Sequence, residues 1–115
     1  MAAWDFRYFT QSGILRAGPS SRYVAFAVEV QGRDDISVNP LYFTLVLSDG
    51  SAYSVDNGRF GYWSQPLQAT DVPAGGHAEG GILFLVKAGV APAKLVYKPI
   101  QLFSTTNVVV DLTHP

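Results

Sequence analysis

The sequence predicts an all-β fold, a sandwich of two antiparallel sheets with seven to eight strands. Short runs of alternating apolar and polar residues recur along the chain, and glycine, proline or Asp-Gly turns separate them. No segment shows the 3.6-residue periodicity of an amphipathic helix. A chain of 115 residues without cysteine has room for one domain with one hydrophobic core, which we expect to span residues 1–115.

Two strands are expected in the first 30 residues. Residues 4–9 form the first, and alternation places Trp4, Phe6 and Tyr8 on one face of it. Residues 23–30 form the second, which is the clearest strand in this half of the chain. Its core-facing side chains are expected to be Val24, Phe26, Val28 and Val30.

A hairpin is predicted around Asp49-Gly50. This dipeptide separates an apolar run at residues 41–47 from a second run at residues 52–55. Asp-Gly is typical of a two-residue type I′ turn, because that turn needs a positive φ at both central positions. We therefore expect the two runs to pair. The core-facing side chains of the first run are expected to be Phe43, Leu45 and Leu47.

The second half of the chain contains four further candidate strands. They are expected at residues 67–72, 82–87, 94–98 and 107–112. The run at 82–87 is apolar on both alternating faces, which is typical of a strand that is covered on both sides. Glycines precede it at residues 75–76 and 80–81. We interpret them as turn residues rather than as a phosphate-binding loop, because no helix follows them.

The turns and core strands between residues 23 and 98 resemble those of a known family. The motifs that carry the resemblance are Asp49-Gly50 before Tyr53, the turn at 72–76, the strand at 82–86, and Leu95-Val96-Tyr97. In these motifs the chain is similar to bacterial and archaeal immunoglobulin-like domains of unknown function, a family sometimes mislabelled as telomeric-repeat-binding-factor-like. The resemblance implies an immunoglobulin-like β-sandwich, a fold shared by a small secreted bacterial antigen. It also implies export or lipid anchoring, and no common catalytic residues.

Composition and charge argue against several classes of partner. The net charge is −1, the pI is about 6.0 and the eight Lys and Arg are scattered, so we expect no nucleic-acid partner. No run approaches the ~18 to 20 apolar residues that a membrane-spanning helix needs. The first residues lack the features of a signal peptide, so the expected extracellular or cell-envelope location requires a segment upstream of Met1, and the cytoplasm is the alternative. We expect a monomer or a weak homo-oligomer.

Residues suited to catalysis or metal binding are sparse. The two histidines, His77 and His114, are both expected to be solvated surface residues. The local acidic pairs are Asp34 with Asp35, and Asp49 with Asp56. Turn chemistry accounts for the second pair, and a chain without cysteine has no thiolate ligand. We therefore predict a protein that is not an enzyme and that holds no metal or cofactor.

Three aromatic residues in the predicted loop at 56–66 are the candidate binding site. Phe60, Tyr62 and Trp63 lie outside any regular strand pattern, and flat rings in a loop can stack on sugars or anchor a protein partner. The alternative is that the loop only covers the hydrophobic core. The sequence thus predicts a non-enzymatic binding or structural module that contacts protein or glycan. The alternative function is a small ligand or metal carrier or chaperone, which uses loops at one end of the sandwich.

Overall fold

A computed structural model describes residues 1–12, 15–32, 35–56, 62–98 and 108–112 of the chain. The strands are β1 (Ala2–Phe9), β2 (Gln11–Ser12), β3 (Leu15–Arg16), β4 (Ser21–Gln31), β5 (Ile36–Val38), β6 (Phe43–Leu47), β7 (Ala52–Ser54), β8 (Thr70–Val72), β9 (His77–Lys87), β10 (Pro92–Tyr97) and β11 (Val108–Asp111). The helical structure in these ranges is one 3-10 turn, Pro40–Tyr42, which Asn39 caps through its side-chain oxygen.

Two main sheets face each other across the core. One is three-stranded in the order β1-β4-β9, and the other is four-stranded in the order β11-β10-β6-β7. Two short pairs, β2-β3 and β5-β8, lie beside them, and every pairing between named strands is antiparallel. The predicted all-β class of antiparallel sheets is confirmed, and the seven strands of the main sheets agree with the predicted number.

The core between the two sheets follows directly from side-chain alternation. On β4, residues 24, 26, 28 and 30 are all buried, as predicted. The opposing sheet contributes Phe43, Leu45, Leu47, Leu95 and Tyr97, which are also buried. The Tyr97 hydroxyl donates a hydrogen bond of 2.9 Å to the Ser37 carbonyl. Burial raises the pKa of Tyr97 to about 12, because the charged phenolate is less well solvated there.

Strand β9 buries side chains on both of its faces, as the sequence predicts. Phe84 and its alternate neighbours point into the core between the sheets. Leu83 points the other way and is buried with Tyr23 and Ala25 in a second, smaller cluster. We call the side of the three-stranded sheet that carries this second cluster the outer face. Because both faces of the sheet are covered at β9, the run at 82–87 does not alternate between apolar and polar residues.

The β6-β7 hairpin forms as predicted, but the predicted type I′ turn is wrong. The loop has three residues, because Leu47 N–H donates to the Ser51 carbonyl at 2.9 Å and Gly50 N–H donates to the Leu47 carbonyl at 3.0 Å. Gly50 has a φ of 88°, whereas the preceding Asp49 does not have a positive φ. This arrangement is a turn followed by one left-handed residue, which adds a bulge to the hairpin. Only the glycine needs the unusual conformation.

Asp49 stabilises this loop through its side chain. Its Oδ1 accepts hydrogen bonds from the Ser51 N–H at 3.0 Å and from the Ser51 hydroxyl at 2.6 Å. Its other oxygen forms an ion pair with Lys87 at the end of β9. The Lys87 hydrogen bond and those from Ser51 hold the pKa of Asp49 well below its usual value. Asp49 thus ties the hairpin loop to the facing sheet.

The predicted common face of Trp4, Phe6 and Tyr8 is also wrong. Trp4 lies opposite Ala27, whereas Tyr8 lies opposite Val24, and these two β4 residues point to opposite faces of the sheet. The cause is a β-bulge between Trp4 and Arg7, where Asp5 has a φ of 58°. One extra residue reverses the alternation, so Trp4 points to the outer face and Tyr8 points to the inner one.

Candidate functional site

The segment at residues 62–67 runs along the free edge of β9. Leu67 N–H donates to the Gly81 carbonyl and Gly81 N–H donates to the Gln65 carbonyl, each at 2.9 Å. Pro66 and Gly81 thereby form an isolated parallel bridge. These bonds hold the preceding aromatic residues, Tyr62 and Trp63, against the outer face of the three-stranded sheet.

Glycines in β9 make this close approach possible. A Cβ atom on Gly81 would lie 2.2 Å from Cδ2 of Trp63, and one on Gly80 would lie 2.4 Å from the Leu67 nitrogen. Both distances are far too short for a real side chain. The interpretation of Gly80 and Gly81 as turn residues is therefore wrong, because both lie inside β9 and provide space for residues 63–67.

Trp63 is fixed by contacts with two different strands. Its indole Nε1–H donates a hydrogen bond of 3.1 Å to the Ile82 carbonyl. Its ring packs on the Gly81 backbone, and the Arg7 guanidinium carbon lies 4.5 Å from a ring centroid. Trp63 is thus a half-buried ring that already packs against Gly81 and carries the Arg7 guanidinium over one face.

Tyr62 belongs to a stack of aromatic rings. Its ring lies 4.7 Å from that of Phe9 at an interplanar angle of 14°, and Phe9 in turn stacks on Tyr23 at 5.2 Å. Tyr62 meets Trp63 edge to face, at 5.3 Å and 89°. We call Phe9, Tyr23, Tyr62 and Trp63 the aromatic cluster. It covers the second hydrophobic cluster, to which Leu83 also belongs.

Arg7 and Asp5 form an exposed ion pair beside the aromatic cluster. Arg7 Nη2 donates to Asp5 Oδ2 at 2.8 Å and Arg7 Nε donates to Oδ1 at 3.3 Å, and both side chains are 47% exposed. The hydrogen bond from Arg7 holds the pKa of Asp5 below its usual value, and the same bond raises the pKa of Arg7. Arg7 Nη1 also lies 3.5 Å from the Tyr62 hydroxyl.

The structure brings together two of the three predicted site residues. Tyr62 and Trp63 are adjacent on the outer face and half-buried, and Phe60 lies outside the described residues. Their contacts agree in part with the alternative that the loop covers apolar side chains, and binding by them stays a prediction. The sequence reading missed Arg7 and Phe9. Arg7 and Phe9 are two residues apart, so alternation along a strand predicts that they share a face. The prediction instead used the face assigned to Trp4, Phe6 and Tyr8.

The predicted surface and turn residues have ordinary structural surroundings. His77 is exposed at the start of β9, while His114 and Asp34 lie outside the described residues. Asp35 accepts a hydrogen bond of 3.0 Å from the Ala74 N–H and so supports the neighbouring turn. In the described ranges, no group of three or more His, Cys, Asp or Glu side chains is placed to hold a metal ion. No helix in those ranges is long and apolar enough to cross a membrane.

Comparison with known proteins identifies a family of sequences and several similar folds. The sequence profile of a family described as a domain of unknown function, DUF4352, matches residues 11–108. No curated protein sequence gives a significant match. The solved structure of ycdA, a candidate lipoprotein of Bacillus subtilis, has a TM-score of 0.68 at 23% identity. The match covers 93% of this chain and 34% of ycdA, so the chain spans about a third of that protein.

Two further solved structures share the fold. MPT63, a secreted protein of Mycobacterium tuberculosis, has a TM-score of 0.62 at 15% identity, with 95% of this chain and 79% of MPT63 covered. The yjhA protein of Bacillus subtilis has a TM-score of 0.54 at 17% identity, with 96% of this chain and 86% of yjhA covered. At such identities the similarity establishes the β-sandwich fold and nothing about activity.

Proposed function

Because this chain belongs to the DUF4352 family of domains of unknown function, we propose a role from its own surface: a non-enzymatic binding or structural module that contacts a protein or a glycan. The observation that carries the proposal is a set of exposed aromatic side chains on the two faces of one edge strand. Trp4, Phe6 and Tyr8 on β1 are 42%, 36% and 49% exposed. Trp4 points to the outer face, which also carries Arg7 and the aromatic cluster, whereas Tyr8 points to the inner face. Exposed aromatic area of this kind is typical of interaction surfaces.

The pKa shifts of two carboxylates support a role without catalysis. A general acid at neutral pH needs a raised carboxyl pKa, which burial or a like charge provides. The pKa values of Asp5 and Asp49 move in the opposite direction, because each carboxylate is paired with a cation. His77, the described histidine, is exposed on β9 rather than held in a cleft. The two carboxylates therefore suit surface ion pairs better than proton transfer.

We propose further that the domain is exported or attached to the cell envelope, and that its sandwich is of the immunoglobulin-like class. Support for the location comes from the two similar folds that belong to a candidate lipoprotein and to a secreted protein. Support for the class comes from the facing sheets of three and four antiparallel strands. Cell fractionation of the native host, with an antibody against this domain, tests the location. Recovery of the domain in the cytosolic fraction alone would contradict export.

Binding is tested with matched surface variants. Trp4→Ser combined with Tyr8→Ser removes exposed aromatic area from β1, and Leu41→Ser removes an exposed apolar side chain elsewhere, since Leu41 on the 3-10 turn is 57% exposed. Immobilised host envelope proteins and envelope glycans, offered separately, should retain the wild type and Leu41→Ser but lose the double variant. Equal retention of all three proteins would contradict the proposal.

A carrier function is the second candidate, and one groove favours it. An open groove of about 500 Å³ lies beside the β6-β7 hairpin, lined by Val46, Lys94 and Val109 among others. An apolar groove with one cation suits a small amphiphilic anion. Native mass spectrometry of the purified protein tests this function, because a carrier should retain a ligand that Val46→Glu removes.

A further inference from the structure

Asp5 has a left-handed backbone conformation, which residues other than glycine adopt uncommonly and which Asp and Asn tolerate best. Among the residues that the structure describes, it is the one non-glycine with a positive φ, at 58°. A residue of this kind is retained at a local energetic cost and occurs often at binding sites. The conformation lies within the bulge of β1, and there the carboxylate pairs with Arg7 two residues along the same strand.

The Arg7 guanidinium is preorganised to bind a carboxylate. The guanidinium lies over the Trp63 ring, and Trp63 is itself fixed by its hydrogen bond to the Ile82 carbonyl and by its contact with Gly81. A guanidinium oriented by an aromatic face presents its fork of N–H donors in one direction. In the isolated chain Asp5 occupies that fork with both carboxylate oxygens.

The carboxylate of Asp5 is also easy to replace. Both members of the pair are 47% exposed, and ion pairs at this exposure contribute little to stability because water solvates the separated charges well. Release of Asp5 would leave no buried charge without a partner. An external carboxylate therefore competes with a weak internal partner.

We propose that Asp5 is an internal substitute for a carboxylate of an acidic polypeptide, and that this carboxylate binds Arg7 beside Tyr62 and Trp63. The inference rests on the proposed binding function and names the chemistry of its partner. A peptide fits better than a sugar, because Arg7 covers one face of the Trp63 ring and Tyr62 stands at 89° to that ring. Two perpendicular, partly covered rings form no flat platform on which a sugar could stack.

The test is an NMR titration of the whole chain with hexaglutamate, followed at the Trp63 indole N–H. The wild type should bind weakly, and Asp5→Gly should bind about tenfold more tightly, since it removes the competing carboxylate and suits the positive φ. Asp5→Asn, which keeps the shape and removes the charge, should also bind more tightly. Hexaglutamine is the matched uncharged probe and should bind none of these proteins.

Variants of Arg7 complete the experiment. Arg7→Gln should abolish hexaglutamate binding, and Arg7→Lys should lose most of it, because an ammonium lacks the fork. A thermal melt of each variant confirms that it is folded. Unchanged affinity in Asp5→Gly, binding retained by Arg7→Gln, or equal binding of oligogalacturonate would each overturn the inference. If Arg7→Gln still binds the envelope fraction that the Trp4 and Tyr8 variant loses, this inference fails while the proposed function stands.

Discussion

The two faces of the three-stranded sheet are built in different ways. The inner face packs fully buried side chains of β4 and β9 against the second sheet, and no charged side chain among the described residues is fully buried there. The buried hydroxyl of Tyr97 is satisfied by the Ser37 carbonyl. The outer face is covered by the short segment at 62–67, an aromatic cluster and the exposed Arg7-Asp5 pair. The inner face therefore depends on hydrophobicity and volume, whereas the outer face depends on individual contacts that hold particular rings in place.

The largest effect is expected on the inner face. Phe84 is fully buried and stacks on Phe26 at 5.7 Å, so Phe84→Ala should leave a cavity and lower the free energy of unfolding by about 3–5 kcal/mol. Urea denaturation measures this change. Leu85→Ala, on a half-buried side chain of the same strand, is the matched control and should cost clearly less. A loss below about 1 kcal/mol in Phe84→Ala would show that the inner face is not close-packed.

On the outer face, one added methyl group should disrupt the aromatic cluster. Gly81→Ala places a Cβ inside the Trp63 ring, so the ring must move away and the free energy of unfolding should fall by about 1–3 kcal/mol. The fluorescence of Trp63 should shift at the same time. If Gly81→Ala is as stable as the wild type with an unshifted spectrum, the contact between Gly81 and Trp63 does not exist in solution.

The hairpin loop belongs to neither face of the three-stranded sheet. A substitution there measures how much backbone strain alone lowers the free energy of unfolding. Gly50 has a φ of 88° and open space around its Cα, so Gly50→Val should cost about 1–2 kcal/mol through backbone conformation alone. Gly18 also has open space but no positive φ, and Gly18→Ala should be nearly neutral. Thermal unfolding compares the two. Equal effects would mean that the left-handed residue of the loop lies elsewhere.

Acid should affect the outer face without disturbing the core. Arg7 lowers the folded-state pKa of Asp5, so the ion pair contributes stability above the ordinary Asp pKa of ~3.9 and loses it as the pH falls below that value. The effect on unfolding should be small, because both groups are solvated. The Arg7 Nε–H resonance should therefore titrate below ~3.9 in the wild type and stay unchanged in Asp5→Asn. A midpoint above ~3.9 would contradict the pairing.

The inner face could be predicted from the sequence, and most of the outer face could not. Alternation on β4 and β9 is a local signal, and hydrophobic burial follows it wherever a strand is regular. The bulge at Asp5 and the three-residue loop before Ser51 each differ from the prediction by one residue, which is enough to reverse a face or change a turn type. The fit of Trp63 onto Gly81 joins residues 18 positions apart, and no periodicity encodes such a contact.

The hydrogen bonds along the free edge of β9 also occupy backbone groups through which another strand could pair. An eleven-residue, largely apolar strand with an open edge would be a template for edge-to-edge polymerisation. Residues 65–67 occupy that edge at Gly81, and the Asp56 N–H donates to the Leu83 carbonyl at 2.8 Å a little further along. On the opposite edge of the sheet, the bulge at Asp5 interrupts β1. The segment at 62–67 that positions the aromatic cluster thus also covers part of a strand edge that edge-to-edge pairing would need, so the same few residues have two structural roles.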